Sequence, residues 1–233
     1  MNTVMNALTD LLHLFFPKLC AGCGTDLLHQ EEQLCMACRH ALPRTGFNRL
    51  EDNPVNKIFR GRVPLEHATA CFYFSKEGLM QRLVHACKYK DQRELAVFLG
   101  RCMGEVLLTD AAFPALDIII PVPLFRSRER KRGYNQSALL AEGIGQKLKL
   151  PVVCDAVCRT KQTDTQTRKS RIERWENVSD VFRVKNASCL KEKRILLVDD
   201  VITTGATLEA CAACILAVEK VQLYVAALAW AGE

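Results

Sequence analysis

Residues 195–208 read Ile-Leu-Leu-Val-Asp-Asp-Val-Ile-Thr-Thr-Gly-Ala-Thr-Leu. The first four, Ile195–Val198, are a continuous apolar run, the pattern of a strand buried on both faces of a parallel sheet. Asp199 and Asp200 follow, which places them at the carboxyl end of that strand. In open α/β sheets this end faces the ligand crevice. Thr203-Thr204-Gly205-Ala206-Thr207 then opens a helix expected to run to about Val218. Small residues let backbone N–H groups close on an anion, and the helix N-terminus adds positive potential. The hydroxyls of Thr203, Thr204 and Thr207 supply further donors. The turn therefore reads as a phosphate cradle beside two carboxylates suited to sugar hydroxyls or to a hydrated Mg²⁺. Without its Thr-Thr-Gly-Ala-Thr continuation, the same stretch would read as a core strand and a helix capped by Thr204, with solvated acids.

The stretch resembles the phosphoribosyl pyrophosphate (PRPP) loop of type I phosphoribosyltransferases. In that family the acidic pair contacts the ribose 2′- and 3′-hydroxyls and the loop holds the 5′-phosphate. Carried over residue by residue, the resemblance implies ribose contacts for Asp199 and Asp200, which are also the catalytic candidates. It implies phosphate contacts for Thr203, Thr204, Gly205, Ala206 and Thr207.

Outward from this centre, Leu116–Val122 is a second apolar run and a second buried strand, stopped by Pro121-Val122-Pro123. The segment after it, Arg126 to Gln136, is dense in cations: Arg126, Arg128, Arg130, Lys131 and Arg132. Such a run is usually a solvated face. Its place after a strand's carboxyl end predicts a loop facing the same crevice as Asp199. Ser137–Leu148 reads as a helix weakened by Gly143 and Gly145, and Pro151–Cys158 as a strand. Residues 159–177 lack apolar periodicity and carry Arg159, Lys161, Thr163, Gln166, Arg168, Lys169, Arg171 and Arg174. Long polar excursions between strands are binding lids or disordered loops. Another strand is expected near Val181–Val184, and Val221–Trp230 supplies the last one. Upstream, Ala68–Phe74 reads as a strand. Gly78–Cys87 reads as a helix closed by Lys88-Tyr89-Lys90, where the cations complement the helix dipole. Asp91–Leu108 reads as a further helix.

The chain has 233 residues, 49% hydrophobic and 25% charged, the composition of an ordinary globular protein. A formal charge of +6 suits an anionic ligand and permits nucleic-acid contact without demanding either. The twelve cysteines do not read as a small secreted disulfide scaffold, because the chain is long and no plausible signal peptide is expected at its start. The start, Met1–Phe16, has an apolar face at Val4, Leu8, Leu11, Leu12 and Phe15, but lacks a basic leader and a cleavage site. It is too short to span a bilayer. It reads as an amphipathic helix packing on its own protein in a reducing cytoplasm, with no membrane insertion.

Cys20-Ala-Gly-Cys23 and Cys35-Met-Ala-Cys38 are two Cys-x-x-Cys knuckles, the spacing of a closed structural zinc site. A redox pair and plain core cysteines are the alternatives. Cys211-Ala-Ala-Cys214 and the scattered cysteines read as core packing. The expected organisation is an N-terminal helix and Cys₄ module over 1–45, a linker over 46–66, and an α/β domain over 67–233.

The order of these elements narrows the resemblance. A Cys₄ module, Pro121-Val122-Pro123-Leu124, Lys131-Arg-Gly-Tyr-Asn-Gln136, Arg159 with Thr163, Gln166, Arg174 and Asn177, and the PRPP loop together resemble the ComF family, which includes ComFC and GntX-like proteins. The resemblance covers nearly the whole chain; Thr165 stands where the family usually has proline. It implies a type I phosphoribosyltransferase fold, a mainly parallel sheet flanked by helices with a small zinc-ribbon-like module. It implies a pyrophosphate loop at Pro121, Val122, Pro123 and Leu124, and a flexible lid from Arg159 to Asn177. Structural Zn²⁺ and Mg²⁺ with PRPP are the implied cofactors. The implied role is a cytosolic one in natural transformation, handling incoming single-stranded DNA alongside other competence proteins. The nucleic-acid candidates are Arg126, Arg128, Arg130, Lys131, Arg132 and Tyr134. Two functional classes follow: a phosphoribosyltransferase, whose acceptor the sequence does not reveal, or a PRPP-responsive DNA-binding adaptor without turnover.

Overall fold

The computed structural model describes residues 17–47, 50, 52–89, 91–161 and 181–232. The expected N-terminal helix and the lid residues Thr163, Gln166, Arg174 and Asn177 lie outside these. In chain order the elements are α1 (Met36–His40), α2 (Pro54–Phe59), β1 (His67–Tyr73), α3 (Leu79–Tyr89), α4 (Arg93–Leu107), β2 (Ile118–Pro121), α5 (Arg126–Arg132), α6 (Gln136–Leu148), β3 (Val157–Arg159), β4 (Phe182–Val184), β5 (Arg194–Ile202), α7 (Ala206–Leu216) and β6 (Gln222–Trp230).

The sheet has the order β1-β6-β5-β2, and every pairing in it is parallel. β5 is therefore central. Ile195, Leu196, Leu197 and Val198 are completely buried, because both sheet faces are covered. One face packs against α3, α4 and α6 through Leu196, Val198, Tyr224 and Leu228. The other packs against α2 and α7 through Ile195, Leu197, Leu223 and Val225. This is a type I phosphoribosyltransferase-like architecture, a parallel sheet flanked by helices.

α4 and α6 approach almost backbone to backbone. A Cβ on Gly143 would lie 2.1 Å from the Val97 carbonyl oxygen, and one on Gly100 would lie 2.2 Å from that of Leu140. The glycines that weaken the intrinsic propensity of α6 are what let it pack, and packing outweighs about 1 kcal/mol of propensity each.

Four expectations need correction. The segment 46–66 is not a bare linker. Asn53 caps α2 by accepting from the Val55 and Asn56 N–H groups, and Val55 and Phe59 are buried in the core. The run Arg126–Arg132 is a helix rather than a loop, ended by Gly133 in the left-handed region at φ 79°. The strand expected over Pro151–Cys158 shrinks to β3, with one isolated bridge from Val152 to Ile119. Finally, the scattered cysteines do not all pack in the core: Cys154 is exposed, whereas Cys71, Cys87, Cys102 and Cys211 are buried.

Candidate functional site

β5 runs on through Asp199 and Asp200 to Ile202, so the acids lie within the strand instead of following it, with Asp199 and Val201 paired to β6. Successive side chains on a strand leave opposite faces, and the two carboxylates have different partners. The Ser137 hydroxyl donates to Asp199 Oδ1 at 3.0 Å, and the Asp200 N–H donates to the same oxygen at 2.9 Å. Asp200 Oδ1 accepts from the Val201 N–H at 2.7 Å. Its other oxygen lies 2.6 Å from Lys88 Nζ in a largely buried ion pair.

Burial, then the neighbouring Asp200 charge, pushes the Asp199 carboxyl up to about 7, against its two hydrogen bonds and Lys88. The folded chain thus holds a proton there that the unfolded chain releases near pH 4. Stability must fall as pH rises from about 4 through about 7, because the unfolded state binds fewer protons over that window. Asp199→Asn removes this cost. Its melting temperature should exceed that of the native chain, with a gain that grows between pH 5 and pH 8. A pH-independent difference would rule out the titration.

The turn after β5 exposes Thr203, Thr204, Ala206 and Thr207. Gly205, not Thr204, is the residue that caps α7, and it is left-handed at φ 76°. The turn rests on the segment expected to be a linker. A Cβ on Gly205 would lie 2.7 Å from Ile58 Cγ2 and 3.1 Å from the Phe59 ring. Arg62 donates to the Thr204 carbonyl at 3.2 Å and pairs with Glu209 at 3.4 Å.

On the other side of β5, the Val122 N–H donates to the Val198 carbonyl at 2.8 Å, so Pro121–Leu124 leaves the sheet beside the acidic pair. The Lys131–Gln136 motif ties this corner together. Asn135 Nδ2 donates to the Val122 carbonyl at 3.0 Å, while its oxygen caps α6 through the Ser137 N–H. The Tyr134 hydroxyl donates to the Cys87 carbonyl at the end of α3. Arg93 covers the Tyr134 ring at 5.0 Å, and Arg132 lies over Tyr89 at 5.5 Å. Tyr134 is therefore buried, with its ring already occupied. As a stacking platform for nucleic acid it is ruled out. Arg126, Arg128, Arg130 and Lys131 are exposed on α5.

β3 and β4 pair antiparallel, with Arg159 opposite Phe182. Both ends of the polar excursion thus spring from one hairpin root. Arg159 lies 5.4 Å over the Phe182 ring and donates to the Lys161 carbonyl.

The thiols of Cys20, Cys23, Cys35 and Cys38 lie within 4.8 Å of one another. Cys23 Sγ and Cys35 Sγ are 3.7 Å apart. A tetrahedron with metal–sulfur bonds of about 2.3 Å has edges of about 3.8 Å, so the donor set fits a zinc ion. The Cys35 N–H donates to Cys20 Sγ at 3.2 Å and the Cys38 N–H to Cys35 Sγ at 3.4 Å, as thiolates held in a knuckle require. Gly22 is needed at the close approach: its Cβ would lie 2.8 Å from Cys38 Sγ.

Sequence reasoning missed Lys88, Ser137, Ile58 and Arg62. Lys88 carried a signal that pointed elsewhere, a cation at a helix C-terminus. Ser137 directly follows the Arg-Gly-Tyr-Asn-Gln motif, and this adjacency was the one available hint. Nothing local marks Ile58 or Arg62, which meet the turn only through tertiary packing.

Residues 135–231 match the family model described as phosphoribosyl transferase domain. Competence protein F of Haemophilus influenzae is 38% identical over 46% of this chain and 48% of its own length, so the match spans about half of that relative. The DNA utilization protein YhgH of Escherichia coli K12 is 28% identical over 83% of this chain and 88% of its own length. Competence protein ComFC of Bacillus subtilis is 35% identical over 42% of this chain and 38% of its own. Among solved structures, the glutamine PRPP amidotransferase of B. subtilis aligns with 57% of this chain and 26% of its own at 17% identity and a TM-score of 0.40. The match over residues 135–231, the Cys₄ cluster ahead of it and these relatives point the same way: the chain carries a phosphoribosyltransferase domain and is similar to competence proteins F and ComFC and to the DNA utilization protein YhgH.

Proposed function

We propose that the chain binds PRPP with Mg²⁺ at the carboxyl end of β5 and acts in the use of incoming DNA. One observation carries the reading: Asp199, Asp200 and the 203–207 turn share the carboxyl end of the central strand, beside Pro121–Leu124. The turn offers exposed hydroxyls and the first N–H groups of α7 to a 5′-phosphate. Asp199 and Asp200 accept hydrogen bonds from the ribose hydroxyls. Pro121, Val122, Pro123 and Leu124 border the space for the pyrophosphate. Mg²⁺, when bound, neutralises the departing pyrophosphate. In a transfer reaction the bond from the anomeric carbon to pyrophosphate breaks as a bond to the acceptor forms. The acidic pair would stabilise positive charge developing on the ribose.

Asp199→Asn with Asp200→Asn should weaken PRPP binding at least tenfold, since charge-assisted hydrogen bonds contribute about 1.5–3 kcal/mol each. Calorimetry against Mg·PRPP checks it, and unchanged affinity would exclude the ribose role. Following pyrophosphate release with candidate acceptors separates an enzyme from a binding module.

The exposed cations of α5 favour a DNA contact as well. With Tyr134 buried, the contact is electrostatic: weak, sequence-independent, and falling with salt at a slope near −0.7 per neutralised phosphate. Fluorescence anisotropy with a labelled single-stranded oligonucleotide reads this directly, and saturating Mg·PRPP should compete. Absence of binding at low salt would exclude the DNA partner; tight, salt-insensitive binding would exclude the electrostatic account.

A further inference from the structure

Lys88 is a lysine that the expected site does not use. It stands at the end of α3, where its ammonium forms the 2.6 Å pair with Asp200 and both side chains are largely buried. The backbone beneath it is fixed. The preceding carbonyl, that of Cys87, accepts from the Tyr134 hydroxyl, and the following ring, Tyr89, lies under Arg132. Cys87, Gln136 and Asp200 line one small cavity of about 10 Å³. The main chain at Lys88 is thus clamped to the motif that also holds Val122.

We propose that Lys88 is a counter-ion that changes partners, and so selects a ribose carrying a 1-diphosphate over one carrying a free 1-hydroxyl. The inference rests on the PRPP reading above. In the empty site the ammonium neutralises Asp200. When ribose hydroxyls donate to Asp200, that carboxylate gains partners and the ammonium is released. The carbon bearing the 2′-hydroxyl is bonded to the anomeric carbon, so a 1-diphosphate arrives next to the position Lys88 has left. An ammonium with three donors on a flexible stem follows a displaced charge, where a planar guanidinium would be held in its fork. A ribose with a free 1-hydroxyl offers nothing in return, and it must break the Lys88–Asp200 pair uncompensated.

The test compares PRPP with ribose 5-phosphate by calorimetry, both with Mg²⁺, on the full-length chain. Lys88→Met keeps length and packing and removes the charge. PRPP affinity should fall at least thirtyfold, while ribose 5-phosphate affinity holds or improves because Asp200 is freed. Lys88→Arg should fold and retain a cation, and it should keep a preference for PRPP intermediate between those of the native chain and Lys88→Met. Parallel loss of both ligands in Lys88→Met would assign Lys88 a structural role and overturn the proposal. Unchanged PRPP affinity would overturn it too. If Lys88→Met fails to fold, Lys88→Arg decides alone: a reduced preference for PRPP supports the proposal, and a preference equal to that of the native chain overturns it. If the native chain binds neither ligand, the PRPP reading itself fails; if it binds PRPP and the preference survives Lys88→Met, only the role of Lys88 fails.

Discussion

Stripping metal from the four thiols should lower the melting temperature of the whole chain by roughly 10–20 °C, in a single transition. The Cys₄ module is not a detachable appendage. Cys20, Leu34 and Leu42 are buried in the same core as Met80, Leu95 and Leu99. Ion pairs stitch it to α4: Arg39 with Glu105 at 3.2 Å, and Glu32 with Arg101. Gln33 donates to Glu94 at 3.1 Å. Structural zinc contributes about 10–16 kcal/mol of apparent binding energy to isolated fingers. If only about 5 kcal/mol of that reaches the native state here, the shift follows from about 2–4 °C per kcal/mol for a chain of this size. Elemental analysis of protein purified without added metal should find one zinc per chain. Calorimetry before and after chelation, and of Cys35→Ser, reads the shift. Metal-free protein with an unchanged melting temperature would remove the zinc site.

Gly205→Ala should destabilise the chain and abolish most phosphate binding. The left-handed backbone at φ 76° costs a residue with a Cβ about 1–2 kcal/mol. The new methyl would sit 2.7 Å from Ile58 Cγ2, and relieving such overpacking costs about 1–3 kcal/mol more. The turn can relax only by moving away from α2, which carries Thr203 and Thr204 with it. Displacements near 1 Å at a positioned site cost on the order of 10²-fold. We expect a melting temperature lower by roughly 5–15 °C and PRPP affinity lower by roughly 100-fold. Gly46→Ala is the control: it is also left-handed, at φ 68°, but has no heavy atom within 4 Å of its Cβ. It should show the backbone cost alone. PRPP affinity retained within threefold in Gly205→Ala would mean that the turn does not hold phosphate.

The sequence by itself determined the features whose physics is local. Ile195–Val198 reads as a strand covered on both faces, since a short apolar run followed by turn residues suits a strand at the centre of a parallel sheet. The spacing of Cys20, Cys23, Cys35 and Cys38 brings four thiols around one point through two tight turns. The small residues after Asp200 mark a tight turn from the strand into a helix, and Gly205 caps that helix in the left-handed region. These readings rest on nearest neighbours along the chain, which composition and spacing encode directly.

Tertiary structure decided what depends on partners distant in sequence. Residues 46–66 have the Pro, Gly and Asn content of a linker, yet Val55 and Phe59 find a core to fill and Ile58 supports Gly205 from 147 positions away. Lys88 looks solvated until Asp200 is placed beside it. Tyr134 looks like an exposed aromatic in a basic run until the Cys87 carbonyl claims its hydroxyl. The same holds for Asp199: the sequence places two acids at the ligand-facing end of a strand, and burial inside β5, then the neighbouring Asp200 charge, pushes one of them up to about 7. Desolvation and charge pairing act through space across long sequence separations, so no window along the chain contains both halves of the interaction.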